Sequence, residues 1–110
     1  MNHTVAIIQI EGSLDVTNSD ALRQDIIKTL DQDASHLLVD CQKVTFMDSS
    51  GLSALVMALK LARESSVRFA LCAVGEQAAM MFRLTGMDKV FDIFEDRAAF
   101  EETLLQPVQV

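Results

Sequence analysis

Residues 44–59 read VTFMDSSGLSALVMAL, and their character changes at the middle. Val44, Phe46 and Met47 suit the end of a buried strand. The apolar run then stops at Asp48-Ser49-Ser50-Gly51, three residues able to cap a helix and one able to turn tightly. Beyond the turn, Leu52, Leu55, Val56 and Leu59 recur at i, i+3, i+4 and i+7, a stripe about 100° wide suited to packing on a sheet. Ala54, Ala58 and Leu61, with Met57 beside them, form a second apolar side. Only Ser53, Lys60 and Glu64 make a polar edge. The second side either packs on an intramolecular neighbour or meets a partner. The serines likewise have two readings. They are caps contributing about 1 kcal/mol, or they stand where the positive end of the helix dipole and free N–H groups favour a phosphate.

On either side of this stretch, strand-like and helix-like segments alternate. Thr4 to Ile10 is β-branched and reads as a buried strand ended by a Glu11-Gly12 turn. Thr17, Asn18 and Ser19 are alternative caps for a helix to about Gln32, with Ala21, Leu22, Ile26, Ile27 and Leu30 as its apolar face. His36 to Asp40 and Thr45 to Met47 are apolar runs too short for helices, linked through Gln42-Lys43. The central helix ends near Ser65, and Val67 to Val74 is a further strand buried on both faces. Glu76 to Leu84 is a short helix stopped by Gly86 as a left-handed cap. Its Met80 and Met81 are either soft core filling or an adaptable partner surface. Val90 to Phe94 reads as a last strand, Asp96 to Leu105 as a last helix, and Gln106 to Val110 as a frayed tail. The alternation implies an α/β layer structure whose sheet is at least partly parallel.

Composition narrows the function. One hundred and ten residues, half of them hydrophobic, make one domain over 1–110, with a core large enough to fold unaided. A net charge of -7 argues against binding nucleic acid, and without Trp or Tyr no aromatic platform for bases or sugars is evident. Cys41 and Cys72 lie in strand-like runs, far apart and without metal-ligand spacing, so they read as buried reduced thiols. The first apolar run, Val5 to Ile10, is too short for a signal peptide or a membrane span, which reads as a cytoplasmic protein. No catalytic machinery is expected. Residues 47–51 depart from the Gly-x-Ser-x-Gly elbow, His3 and His36 are poorly placed as a base for a serine, and no glycine-rich phosphate loop exists. Asp15, Asp40 and Asp48 read as loop-end carboxylates rather than a metal cluster. No cofactor is implied.

The run Val44 to Leu52 resembles the signature of the anti-sigma-factor antagonists, bacterial members of the STAS domain family. Three further segments are similar in the right order: Ile10 to Asp15 (IEGSLD), His36 to Cys41 (HLLVDC) and Met81 to Phe94 (MFRLTGMDKVFDIF). The resemblance implies a mixed sheet of about four to five strands, with about four helices packed mainly on one face. It also implies a mechanism. The unphosphorylated protein binds an anti-sigma factor that is itself a serine kinase, so releasing a sigma factor. Phosphorylation of Ser49 ends the binding, and a metal-dependent serine phosphatase restores it. Asp15, Asp48, Ser50, Gly51 and Leu52 are the implied partner-contacting residues, with Ser50 also the expected cap. Two departures stand out. Ser13 replaces the usual Glu of the Gly-Glu-Leu-Asp turn, and the strand that family members often carry before Thr4 to Ile10 has no full counterpart, so that sheet edge is expected to be open, shortened or covered by another molecule. The rival reading of a STAS domain is a constitutive interaction subunit of a signalling scaffold or lipid-transport complex.

Overall fold

The computed structural model describes residues 4–105. His3 and the Gln106 to Val110 tail lie outside them. The elements, in chain order, are β1 (Val5–Leu14), α1 (Ser19–Leu30), β2 (His36–Met47), α2 (Ser49–Glu64), β3 (Arg68–Cys72), α3 (Glu76–Thr85), a 3₁₀ turn (Met87–Lys89), β4 (Ile93–Phe94) and α4 (Arg97–Leu105). The strands lie in sequence order, β1-β2-β3-β4, and every pairing is parallel. A parallel neighbour can be reached only by a crossover, and crossovers share one hand. Winding always in one direction therefore stacks α1, α2 and α3 on one face. Helix α4 follows the last strand, so no crossover constrains it.

Side-chain alternation along the inner strands divides the core accordingly. Leu37, Val39, Phe69 and Leu71 pack with Leu22, Ile26, Leu55, Leu59 and Phe82 of the three crossover helices. Leu38, Ala70 and Cys72 point the other way, onto Phe100 of α4. The sheet is thus buried on both faces in its middle, as the weak alternation of Val67 to Val74 implied. Cys41 belongs to the first face and Cys72 to the second. Both are free thiols, and burial pushes them up to about 12 and about 11 respectively. The mixed sheet implied by resemblance is fully parallel among the described residues.

Several sequence expectations are corrected by long-range packing. The Glu11-Gly12 turn does not end β1, because the strand runs on to Leu14 with Gly12 held at φ +76°. His36 to Asp40 and Thr45 to Met47 are not separate runs but one 12-residue strand. Its pairing with β1 steps from Gln9↔Asp40 to Glu11↔Lys43 and from Gly12↔Val44 to Ser13↔Phe46, so β2 carries one extra residue in each interval. These are bulges. They set the core-facing residues of β2 at Cys41, Val44 and Met47, three apart instead of two, which hides the strand from a period-two reading. The core stripe of α2 is Leu55, Ala58, Leu59 and Ala62, with Leu52 half-buried beside it, whereas Val56 and Met57 face solvent. In α1, Leu22 and Ile26 are buried but Ala21 and Ile27 are exposed. In α3, Met81 packs on the core as filling, while Met80 is exposed.

One polar contact ties α4 to the sheet. The Asp40 side chain is 3% exposed, accepts from Gln42 N–H at 2.9 Å and pairs with Arg97 Nε at 2.6 Å. Burial pushes the carboxyl up, but the Gln42 N–H and the Arg97 guanidinium outweigh it and hold the group below the usual carboxylate value. A lowered folded-state pKa contributes stability that is complete above the unfolded carboxyl pKa and is lost as pH falls through the folded one. Arg97→Ala is therefore expected to cost about 1–2 kcal/mol at pH 7, allowing for solvent at the half-exposed guanidinium. Urea unfolding should show the gap from the parent chain shrinking below about pH 4. A gap of equal size at pH 3 and pH 7 would assign it to packing alone.

Candidate functional site

The turn from β2 into α2 lies at the carboxyl ends of the parallel strands, where open α/β sheets present their sites. Asp48 is the N-cap, with extended backbone, and its Oδ1 accepts from Gly51 N–H at 3.1 Å. The carboxylate does what a hydroxyl was expected to do. Ser50 is accordingly not the cap. It is half-buried and lines a groove of about 310 Å³ between α1 and α2, together with Ser19, Asp20, Arg23, Ser53 and Met57. Ser49, the first residue of α2, is exposed, and its hydroxyl has no hydrogen bond to any described residue.

Gly51 explains why the turn sits where it does. A Cβ on this buried residue would lie 2.2 Å from the Leu14 carbonyl oxygen and 2.9 Å from Leu14 Cγ. The same carbonyl accepts from Asp48 N–H at 3.3 Å. The start of α2 is thus pressed directly against the end of β1, and the close approach that the glycine permits is intramolecular. Leu52 is half-buried against the core.

Asp15 follows Leu14 and stands at the same end of the sheet. Its Oδ1 accepts from the hydroxyl and the N–H of Thr17, which lower its pKa. Asn18 was one of the expected side-chain caps, but its side chain serves this loop instead: Oδ1 accepts from Asp15 N–H at 2.9 Å and Nδ2 donates to the Ser13 carbonyl. The loop uses the backbone of Ser13, whose side chain is exposed, so Ser in place of Glu leaves the turn itself intact.

A residue without any sequence signal completes the support. Gln77, near the start of α3, donates from Nε2 to the Met47 carbonyl at 2.7 Å and accepts Met47 N–H on Oε1 at 2.9 Å. β3 pairs with β2 only over His36 to Asp40, so this side-chain amide takes the place of a neighbouring strand at Met47, the last residue before Asp48. Of the three aspartates considered for a metal, Asp40 lies on the α4 face, away from Asp15 and Asp48. Among the described residues no group of three His, Cys, Asp or Glu side chains could hold a metal, and no helix is long and apolar enough to cross a membrane.

Two substitutions test this framework. Gly51→Ala forces a backbone shift against Leu14 and is expected to cost about 1–3 kcal/mol in chemical denaturation; unchanged stability would mean that the approach is not tight. Gln77→Leu removes both bonds to Met47 and leaves two backbone groups to be rehydrated. Amide exchange at Met47 to Ser50 should quicken at least tenfold while the middle of β2 keeps its protection.

The comparisons with known proteins agree with this geometry. A family model described as "STAS domain" matches residues 1–99. The chain is 26% identical over 93 residues to an anti-sigma F factor antagonist of Paenibacillus polymyxa, covering 84% of this chain and 80% of that one. It is 30% identical over 90 residues to the anti-sigma-F factor antagonist RsfB of Mycobacterium tuberculosis, covering 82% and 73%. Among solved structures, an anti-sigma factor antagonist from Mycobacterium paratuberculosis superposes with a TM-score of 0.79 over 93% of this chain and 87% of that one, at 24% identity, a likeness of fold. With a family model spanning nine-tenths of its length and the Asp-Ser-Ser-Gly turn at the mouth of its parallel sheet, this chain belongs to the STAS domain family.

Proposed function

We propose that this chain is an anti-sigma-factor antagonist switched by phosphorylation of Ser49. The observation that carries the reading is the division of labour at the start of α2. Asp48 caps the helix, and the Ser49 hydroxyl is exposed and free of any hydrogen bond to the described residues. A serine that caps would be shielded from a kinase, and modifying it would unravel the helix; Ser49 does neither. Similarity to relatives named anti-sigma factor antagonists supports the general role. In this reading the unphosphorylated protein acts in the cytoplasm, docks on an anti-sigma factor serine kinase and frees a sigma factor. The kinase then modifies Ser49, and a metal-dependent serine phosphatase resets it. The chain is the substrate of both and needs no catalytic groups of its own.

The docking surface centres on Ser49, with Asp48, Asp15, Ser50 and Leu52 around it and Gly51 setting their position. Exposed Val56 and Met57 continue it along α2, and exposed Phe46 lies just before the turn. A phosphate adds about -1.5 to -2 charges beside Asp48 and Asp15. Under a docked partner that charge would be desolvated among carboxylates, which disfavours the complex. A loss of about 4 kcal/mol lowers affinity about a thousandfold. Because the cap is Asp48 and the helix N-terminus tolerates an anion, the domain itself need not refold.

Binding to an anti-sigma factor serine kinase from the same cells should be retained by Ser49→Ala and weakened at least tenfold by Ser49→Asp, measured by titration calorimetry. Amide shifts on phosphorylation should stay near residues 46–53. Equal binding by both variants would instead favour a constitutive interaction subunit, a reading to which exposed Phe46, Val56 and Met57 also lend themselves.

A further inference from the structure

The outer edge of β1 has no strand partner among the described residues, since the sheet begins there. Such edges are ordinarily blunted by Lys, Pro, an inward charge or a bulge. Val5 to Gln9 (VAIIQ) has none of these, and its pairing with β2 is regular as far as Gln9. The Thr4 carbonyl accepts from Ser35 and His36 N–H on the β2 side. In a parallel ladder the bonding groups of successive residues point alternately to the two sides. Thr4, Ala6 and Ile8 therefore turn theirs toward β2, and Val5, Ile7 and Gln9 present unpaired N–H and C=O groups outward. Ile7 is also 40% exposed.

We propose that this edge pairs with the same edge of a second copy, antiparallel, about a two-fold axis at Ile7. In that register Ile7 faces Ile7 of the second copy and Val5 faces its Gln9, so all three outward-facing residues find hydrogen-bonding counterparts. Ala6 opposes Ile8 between them. No charge opposes a like charge, because Thr4 to Ile10 is uncharged. Moving the axis to Gln9 would bring Ile7 opposite Glu11 and run the ladder into the irregularity between Gln9 and Glu11. The second copy is thus selected by symmetry and by neutrality. The interface is a short strand pair, small by the standard of stable dimers, so the association is weak and detectable at about 0.1–1 mM. Each copy carries a net charge of -7, and added salt should strengthen it. The antiparallel arrangement directs the two Ser49 ends away from each other, leaving both accessible.

Sedimentation equilibrium from 10 µM to 1 mM, at 50 and 500 mM NaCl, gives the oligomeric state. A monomer–dimer equilibrium strengthened by salt is expected, and Ile7→Lys, a change at an exposed side chain, should return it to monomer while circular dichroism stays unchanged. Cross-linking tests the register. Two facing residues of a hydrogen-bonded antiparallel pair lie about 5.5 Å apart at Cα, within disulfide range, so Ile7→Cys should oxidise readily to a covalent dimer. Two copies of Gln9 would be about 14 Å apart along the strands, so Gln9→Cys should not. A chain monomeric at 1 mM, or Gln9→Cys cross-linking as well as Ile7→Cys, overturns the proposal. The first outcome would mean that the edge stays open or is covered by a segment of the chain outside the described residues. The second would mean that the copies meet elsewhere.

Discussion

The contact between the first turn of α2 and the last residue of β1 governs the end of the sheet that carries the candidate site. Gly51 lies where any β-carbon would overlap the Leu14 carbonyl, and Asp48 N–H donates to that same oxygen. A helix start held this closely to a strand end cannot tilt or slide without breaking a hydrogen bond or meeting backbone atoms. Ser49 is thereby fixed on a rigid element although it is solvent-exposed. The phosphorylation proposed at Ser49 needs both properties: exposure so that an enzyme can reach it, and rigidity so that a change of charge is registered by a partner instead of being absorbed by a loop.

The rest of the architecture supports that point from three sides. The two bulges of β2 keep Cys41, Val44 and Met47 facing the core as the strand leaves the shelter of β3. Gln77 then takes over where β3 has ended, holding both polar groups of Met47 with one amide. On the far side, the loop from Asp15 to Asn18 closes on itself through side-chain and backbone bonds. The opposite face of the sheet has a different anchor, the Asp40–Arg97 pair under α4, and that anchor is remote from the serine. The contacts that anchor α4 are thus separate from those that hold the start of α2.

Much of the fold was legible because it rests on local rules. Gly86 ends α3 in the left-handed conformation, as its position after an apolar helical run implied. The short apolar runs at 36–40 and 67–74 became parallel strands buried on both faces. The site was legible for a different reason. Asp48-Ser49-Ser50-Gly51 is a local cluster of capping residues, and its likeness to a family signature gave each residue a place. Which of three capping residues would cap was not readable, since Asp48, Ser49 and Ser50 are comparably good candidates until the backbone sets their angles. The core stripe of α2 takes in Ala58 and Ala62 in place of Val56, because Val56 and Ala58 are both apolar and only the sheet beneath decides which of them is covered.

By itself, the sequence determined the order of strands and helices, the one-domain α/β class, the capped turn before α2 and the buried, unpaired state of the two thiols. Each follows from residue type and near-neighbour spacing. Tertiary structure alone decided that β2 is one bulged strand, that Gly51 answers to Leu14, that Gln77 stands in for a missing strand and that α4 crosses to the other face. These depend on residues 30 to 57 positions apart or on the shared hand of successive crossovers. Contacts of that reach leave no periodic trace in the chain, because nothing local changes when they form.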